Sequence, residues 1–284
     1  MLIKYLVIYF IIIIIFWILY QKSYYIMYKP PKNIEQLNAE KNMEQIKPQI
    51  ITYNIQKFLW SCKTFDTIAE TLRKHSIILL QECYDESNGL LKTYFPDYYI
   101  CREMMQGINI INSGLVILSK YPIYKKKFIS YKNFNIFSLD CLSDKGFLMT
   151  WIKVNNKKYC IVNTHLQSSK NNRYDNAIFL QLNELFNYIK GLRCSYIIGG
   201  DFNIDIKDIT SKVKLNDKII HYSNKPTIYI NFKTGNTRTN SKEGYEPLIF
   251  DYFITKSEDN IINDVKTIYS NYSDHNMVSA KIIL

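Results

Sequence analysis

The sequence lacks the cysteine pattern of a zinc-binding module and the periodicity of a repeat protein. Its six cysteines include no C-x-x-C pair, which argues against a zinc ribbon. No internal repeat and no low-complexity tract follows the N-terminal apolar run, and no helix-hairpin-helix or zinc module that would dock DNA is present. Histidine is scarce: the 284 residues contain four, and two of them lie in the motifs described below.

Positive charge dominates without being concentrated. The formal net charge is +11, yet the densest basic run is only Lys125, Lys126 and Lys127. A basic excess indicates an anionic partner, either a nucleic acid or a lipid surface. Because the lysines are spread along the chain, they indicate no dedicated binding stripe. The hydrophobic fraction of 47% is enough for a full core and excludes wholesale disorder.

An unbroken apolar and aromatic run occupies residues 5–20, with Lys4 before it and Lys22 after it. The run is shorter than the ~20 residues of a typical spanning helix. The tyrosine-rich residues 24–28 extend it into the interfacial zone, where tyrosine is favoured. No small-x-small cleavage site follows, so an uncleaved single-pass transmembrane helix is favoured over a signal peptide.

Three segments are therefore predicted. They are a membrane anchor at 1–29, a linker at 30–48 and a catalytic domain at 49–284. Pro30 and Pro31 end any helix that precedes them. The lysines on the C-terminal flank of the anchor slightly favour a cytoplasmic catalytic domain, since positive flanks stay inside.

Apolar runs predict many strands and few helices after residue 48. Strands are predicted at 49–55, 76–82, 98–102, 113–119, 127–133, 146–154, 158–165, 196–198, 248–255, 265–269 and 277–283. Helices are predicted at 64–74, around Leu90 and Tyr94, and at 172–190. The polar, lysine-rich residues between the strands at 196–198 and 248–255 are assigned no element. The mixture of hairpins and crossovers predicts an α/β fold, a sandwich of two mixed β-sheets flanked by helices.

Residues whose side chains can bind a metal ion or a phosphate, or transfer a proton, stand at the strand ends. They are Asn54, Glu82, His165, Asp201, Asn203, Asp251, Asp274 and His275. Each has a structural alternative: a strand-end Glu82 is often a solvated charge, and a lone His165 is often a satisfied core residue. Asp251 inside an apolar strand needs a partner, because a buried carboxylate is costly without one, and His275 is the natural candidate.

This set is typical of metal-assisted phosphoester hydrolysis. A hard cation prefers oxygen ligands, so Mg²⁺ is predicted, with Mn²⁺ as the alternative, held by Glu82, Asn54 and Asp274. Zinc fits less well, since no thiolates with ligand spacing are present.

The remaining residues are assigned to catalysis. His275, oriented by Asp251, is predicted to take a proton from the attacking water. His165 is predicted to donate toward the phosphate, and Asn203 to bind a nonbridging oxygen beside the catalytic carboxylate Asp201.

Seven motifs support a family resemblance. They are Asn54, Gln81-Glu82, the stretch 113–123, Asn163-Thr164-His165-Leu166, Gly200-Asp201-Phe202-Asn203, Phe250-Asp251-Tyr252 and Ser273-Asp274-His275. In this order they resemble the motifs of the endonuclease/exonuclease/phosphatase superfamily. The resemblance implies a four-layer sandwich, a site at one end of the two sheets and Mg²⁺ dependence.

Within that superfamily, Lys145-Gly146 looks like the Lys-Gly element of neutral sphingomyelinases. The resemblance implies that Lys145 binds substrate phosphate, although a plain hairpin turn is the alternative. Two departures stand against it: the first motif lacks an Asn-x-Trp pattern, and no proline follows His275. The inositol polyphosphate phosphatase signature is absent.

The predicted function is a membrane-anchored hydrolase, a phosphodiesterase whose partners are a phospholipid such as sphingomyelin and the membrane. A nuclease or DNA-repair phosphodiesterase, with nucleic acid as substrate, is the alternative. A non-enzymatic binding module is disfavoured because the motif set is intact. No obligate protein partner is predicted.

Overall fold

A computed structural model describes most of the chain after the N-terminal segment. The described residues are 48–57, 63–84, 88–103, 112–135, 143–154, 156–168 and 176–283. The predicted anchor, and the predicted linker except for its last residue, lie outside these ranges. Among the residues within them, no helix is both long and apolar enough to cross a membrane.

The described part of the chain forms fifteen strands and four helices. The strands are β1 (Gln49–Lys57), β2 (Ile77–Cys83), β3 (Tyr99–Arg102), β4 (Val116–Ser119), β5 (Ile123–Ser130), β6 (Gly146–Val154), β7 (Lys157–His165), β8 (Ser195–Asp201), β9 (Lys218–His221), β10 (Ile228–Asn231), β11 (Asn236–Arg238), β12 (Glu246–Leu248), β13 (Asp251–Lys256), β14 (Ile262–Ile268) and β15 (Met277–Ile282). The helices are α1 (Lys63–Arg73), α2 (Asn88–Tyr94), α3 (Asn176–Ile189) and α4 (Ile206–Lys212).

Two six-stranded mixed sheets dominate the fold. The first sheet has the order β14-β15-β1-β2-β4-β3, and the second has the order β5-β6-β7-β8-β13-β9. A small three-stranded sheet has the order β11-β10-β12. Each large sheet contains one parallel pair with a helical crossover: β1 with β2 through α1, and β7 with β8 through α3.

Alternating side chains divide the core into layers. Ile51 and Tyr53 of β1 pack with Phe65 and Leu72 of α1, which covers the outer face of the first sheet. On the second sheet, the outward side chains of β7 and β8 pack against α3. The predicted sandwich of two sheets flanked by helices is therefore confirmed.

Two glycines of β8 set how closely its neighbours approach. A Cβ on Gly199 would lie 2.7 Å from Leu79 Cδ1 of the first sheet, so the sheets meet there without room for a side chain. A Cβ on Gly200 would lie 2.0 Å from Thr164 O of β7. Glycine at both positions thus allows β8 to lie against β7 and β2 immediately before Asp201.

The sequence missed several elements in the lysine-rich segment. Helix α4 and strands β9 to β12 all lie there. These strands have only three or four residues, so the apolar residues of β9 and β10 are too few to show a period. Strands β11 and β12 are exposed or half-buried. Four strand starts differ from the prediction by three or four residues. Strands β5 and β14 begin earlier, at Ile123 and Ile262, whereas β4 and β13 begin later, at Val116 and Asp251. The predicted start of α3 at 172 falls outside the described residues.

Candidate active site

The strand ends named from the sequence meet at one end of the sandwich. Parallel pairing places the carboxyl ends of β1 and β2 together, and those of β7 and β8 together. The first residue of β13, Asp251, lies directly opposite Asp201 in the antiparallel pair with β8. His275 precedes β15, which runs antiparallel to β1. Sheet topology therefore collects side chains from strands that are far apart in the chain.

Two residues of the site have left-handed backbone conformations. Glu82 has φ 54° and Asn203 has φ 51°, both unusual for residues with a Cβ. The pairing of β1 with β2 shifts register between Asn54 and Lys57, beside Glu82. Local strain of this kind persists where the surrounding structure fixes it and is common at functional sites.

Asp201 is the centre of the hydrogen-bond network. Its Oδ2 accepts a bond from Asn54 Nδ2 at 3.0 Å, and its Oδ1 accepts one from the Asn203 backbone N–H at 2.9 Å. The same Oδ2 lies 3.5 Å from Nε2 of His165 and 3.5 Å from Nε2 of His275. Burial raises the pKa of Asp201 to about 7, although His275 opposes the shift.

His275 forms a buried pair with Asp251. The distance from His275 Nδ1 to Asp251 Oδ2 is 2.8 Å, so Nε2 is the nitrogen that faces the site. Burial by itself would lower the pKa of His275, but the carboxylates of Asp251 and Asp201 outweigh it and hold the pKa well above the usual value. The predicted partnership of these two residues is present.

His165 has the opposite pKa shift from His275. Burial, together with the positive charges of Lys145 and His275, holds its pKa well below the usual value, so the ring is neutral. Lys145 Nζ lies 3.1 Å from His165 Nδ1. Lys145 is itself buried, which places the predicted substrate-binding lysine against a catalytic candidate at the site.

Glu82 and Asn54 form the more open half of the site. Asn54 Nδ2 donates to Glu82 Oε1 at 3.0 Å as well as to Asp201, and its Oδ1 accepts from the Gln56 backbone N–H. The Glu82 side chain is 25% exposed, whereas that of Asp201 is 1% exposed. The carboxylate of Glu82, which reaches solvent, fits a hard divalent cation, and Glu82 with Asp201 are the residues that would hold it.

Asp274 is bound by residues that the sequence did not single out. Thr237 Oγ1 of β11 donates to Asp274 Oδ2. Ser273 Oγ donates to Asn54 O at 2.7 Å and lies 3.4 Å from Asp274 Oδ1. The small sheet therefore reaches the site through Thr237. The turn that precedes β11, Thr234-Gly235 with φ 71° at the glycine, was the available signal for this hairpin.

The structure brings the predicted residues together with distinct contacts. Asn54, Glu82, His165, Asp201, Asp251 and His275 form one connected group through the distances given above. Asn203 adjoins Asp201, and its Nδ2 donates to Leu166 O at 2.9 Å. A compact group of three metal-capable residues, Asp201, Asp251 and His275, has ligand atoms within 4.8 Å of one another. The hydrogen bond inside that group makes Asp251 and His275 a proton-sharing pair.

Curated relatives match much of the chain at low identity. Sphingomyelinase C 2 of Leptospira interrogans is 28% identical over 209 residues, which is 69% of this chain and 32% of the relative. Phospholipase C of Staphylococcus aureus is 27% identical over 206 residues, which is 60% of this chain and 59% of the relative. The chain thus spans between about a third and three-fifths of the length of these relatives.

Solved structures share the fold. A mutant form of the beta toxin of Staphylococcus aureus, with bound magnesium ions, aligns with a TM-score of 0.62 at 20% identity over 83% of this chain and 99% of the toxin. D. rerio TDP2 complexed with single strand DNA product aligns with a TM-score of 0.66 at 15% identity over 84% of this chain and 99% of TDP2. At such identities the likeness shows the fold alone.

Residues 51–275 match the family described as Endonuclease/Exonuclease/phosphatase family. The match includes every strand-end residue of the site, from Asn54 to His275, and it confirms the resemblance drawn from the seven motifs. Sheet topology and hydrogen bonding around Asp201 agree with it. The chain therefore belongs to the Endonuclease/Exonuclease/phosphatase family.

Proposed function

We propose that the protein is a Mg²⁺-dependent phosphodiester hydrolase that removes the phosphorylated head group from sphingomyelin or a related phospholipid. The observation that supports this proposal is the junction of two different half-sites at Asp201. One half is the buried Asn54 with the partly exposed Glu82. The other is the buried set of His165 and the Asp251–His275 pair.

The buried half manages protons. In the proposed reaction a water oxygen forms a bond to phosphorus while the bond from phosphorus to the lipid oxygen breaks. His275 acts in its neutral form, which becomes populated as pH rises through its raised pKa. In that form Nε2 takes the proton of the attacking water, and Asp251 fixes the ring through Nδ1. The lipid oxygen takes a proton from solvent as it leaves, and His275 later returns its own proton to solvent, so ceramide and phosphocholine are the products when sphingomyelin is the substrate.

The neighbours of His275 bind and orient the phosphate. Neutral His165 donates a hydrogen bond to a phosphate oxygen, and Lys145 adds positive charge next to it. Asn203, adjacent to Asp201, offers its amide to a nonbridging oxygen. A bound Mg²⁺ would supply charge neutralisation for the phosphate and the leaving oxygen. Asp274 stays in the proposal as a cation-side carboxylate that Thr237 orients.

A lipid substrate is favoured by the relatives. The two curated relatives reported above are named a sphingomyelinase and a phospholipase C, and they share more identity with this chain than the reported TDP2 structure does. An anchor at residues 1–29 would hold the domain at a lipid surface, so we include a membrane location in the proposal. The slight excess of flanking lysines favours the cytoplasmic side.

Nucleic acid is the second candidate substrate, and the net charge of +11 is the observation that favours it. A basic protein gains affinity for a polyphosphate chain by releasing counterions. A diester in a nucleic acid and a diester in a phospholipid would present the same phosphate to His165 and His275. Substrate assays must therefore separate the two.

The test uses the full chain purified in detergent and freed of metal. Mg²⁺ is added, and sphingomyelin in mixed micelles is compared with supercoiled plasmid. His275→Ala is the inactive control, and His221→Ala is its match, since His221 is a partly buried histidine on β9 that bonds Thr255.

Metal-dependent release of phosphocholine, lost in His275→Ala and kept in His221→Ala, is the expected result. Plasmid nicking without lipid turnover would overturn the lipid proposal in favour of the nuclease. Hydrolysis of neither substrate with Mg²⁺ or Mn²⁺ would refute both.

A further inference from the structure

Three fully buried polar side chains lie between the two large sheets, immediately behind the site. They are Thr52 of β1, Gln81 of β2 and Asn163 of β7, and each is 0% exposed. We call this set the amide bridge. Polar side chains are unusual between two packed sheets, because burying a polar group removes it from water at a cost in free energy. Burying an apolar side chain carries no such cost.

The amide bridge joins the sheets by direct hydrogen bonds. Asn163 Nδ2 donates across the interface to Leu80 O at 2.8 Å and to Val116 O at 2.9 Å. These two carbonyls belong to residues that are paired in the β2–β4 ladder. In return, Gln81 Nε2 donates to Asn163 Oδ1 at 2.7 Å. One asparagine of the second sheet is thus fixed to two strands of the first.

A further bond ties β1 into the same group. Gln81 Nε2 also donates to Thr52 Oγ1 at 3.0 Å. The three strands joined by the amide bridge are therefore the ones that end in Asn54, Glu82 and His165. Thr52 is two residues before Asn54, Gln81 immediately precedes Glu82, and Asn163 is two residues before His165. A displacement of one sheet against the other would move these ends directly.

The amide bridge does not maximise stability. Gln81 Oε1 is buried and has no hydrogen-bond partner among the described residues. An unsatisfied buried acceptor lowers stability, whereas apolar groups of the same shape can replace a buried polar pair at little loss. The interface around it is otherwise apolar, with Leu79 and Phe253 packed against Gly199. The contribution of Gln81 is therefore to the positions of the strand ends that it connects, and not to the stability of the fold.

We propose that the amide bridge is a positioning device. Gln81 and Asn163 set the separation and register between the Asn54–Glu82 half of the site and the His165–Asp201 half. Contacts behind the atoms that hold a cation orient those atoms, and changing them lowers metal affinity or activity by roughly 10- to 100-fold. The inference rests on the proposed function, because it assigns the bridge a role in that reaction.

The test replaces the amide without changing its volume much. Gln81→Met removes the donor to Asn163 and the orphaned oxygen together, and Thr52→Val is a milder second variant that removes one acceptor. Thr150→Val is the matched control: Thr150 is fully buried in β6 of the second sheet, and its hydroxyl has no partner among the described residues. All are made in the full chain.

Four quantities are measured on each protein. They are the Mg²⁺ affinity by calorimetry without substrate, the midpoint of thermal unfolding, and kcat and KM. The last two are measured on whichever substrate, sphingomyelin or plasmid DNA, the assays described above show to be hydrolysed. In Gln81→Met we expect Mg²⁺ affinity and kcat each to fall about 10-fold or more, with an unchanged KM. The unfolding midpoint should change little, because the variant removes one unpaired acceptor, Gln81 Oε1, and leaves another, Asn163 Oδ1. Thr52→Val should shift the same two quantities less, and Thr150→Val should shift neither.

Two results would overturn the inference. One is wild-type Mg²⁺ affinity and kcat in Gln81→Met. The other is a fall in kcat that accompanies an equal loss in Thr150→Val or a large drop in unfolding midpoint, since that pattern means ordinary packing. Failure of the unmodified chain to bind Mg²⁺ is a separate outcome. It would refute the proposed function, and with it the role given to the bridge.

Discussion

The two large sheets end in different environments, although they contribute to the same site. The first sheet ends in Asn54 and Glu82, and the Glu82 side chain is 25% exposed. The second sheet ends in His165, Asp201 and Asp251, whose side chains are 3%, 1% and 0% exposed. Glu82 is thus accessible to a solute, whereas the buried trio is shielded from water.

This difference separates two chemical tasks. Charges without water around them interact strongly, so burial can raise the pKa of Asp201 and lower that of His165 within one small volume. A cation from solvent, in contrast, needs an open approach and a carboxylate that water reaches. The site therefore assigns proton transfer to its buried groups, which include His275 beside β15 of the first sheet, and cation access to the partly exposed Glu82.

Removal of the base should have the largest effect. We expect His275→Ala to lower kcat by about 10²- to 10⁴-fold, the usual contribution of a general base, with Mg²⁺ affinity little changed. Turnover and calorimetric metal binding measure the two halves separately. Near-normal turnover in this variant, with His221→Ala also normal, would contradict the assignment of His275 as base.

Removing the charge of Glu82 should have the next largest effect. In contrast to His275→Ala, the quantity expected to change is the Mg²⁺ affinity. Glu82→Gln keeps the shape but removes the charge, so we expect Mg²⁺ affinity to fall roughly 10- to 100-fold. The check is a calorimetric titration in the absence of substrate, with the exposed Glu70→Gln of α1 as control. Unaltered affinity would show that Glu82 does not hold the ion and that the two halves are not divided as proposed.

Loss of the bond from the small sheet should have a smaller effect. Thr237→Val frees Asp274 Oδ2, so we expect a several-fold fall in kcat/KM without unfolding, about 1 kcal/mol for a single hydrogen bond. Thr234→Val, in the turn before the same strand, should leave kcat/KM unchanged. Identical losses in both variants would assign the effect to the hairpin and not to Asp274.

The variant with the smallest expected effect on turnover is at Glu103, whose protonation affects the stability of the fold. Glu103 accepts from the Ser113 backbone N–H at 2.9 Å, and burial, with Asp144 nearby, raises its pKa from 4.5 to about 8. Between these values the folded protein keeps a proton that the unfolded chain loses, so stability falls as pH rises, by at most about 1.4 kcal/mol per pH unit.

Glu103→Gln should flatten that dependence between about pH 4.5 and 8. Chemical denaturation at several pH values measures it, with the exposed Glu258→Gln as control. A slope identical to that of the unmodified chain would show that Glu103 binds no extra proton when folded.

The site residues were predicted from polar residues at the ends of apolar strands, and this works because strand periodicity is a property of neighbouring residues. A buried run such as 76–80 fixes where β2 ends, and Glu82 follows from that alone. Thr237 escaped because β11 has three residues with no apolar pattern. The role of Gln81 escaped for another reason: its partner Asn163 is 82 residues away in the chain, and only packing of the two sheets brings them together.

The sequence by itself determined which chemical groups stand at the ends of which strands, since alternation, turns and apolar runs are properties of neighbouring residues. Tertiary structure decided which of these groups touch, although the need of a buried carboxylate for a partner had already indicated the pairing of Asp251 with His275. Ser273 and Asn54 bond across 219 residues, and Asp251 and His275 pair only because β13 and β15 lie at the same end of the sandwich. Burial, and with it every shifted pKa of the site, arises from that packing, because the exclusion of water depends on segments far apart in the chain.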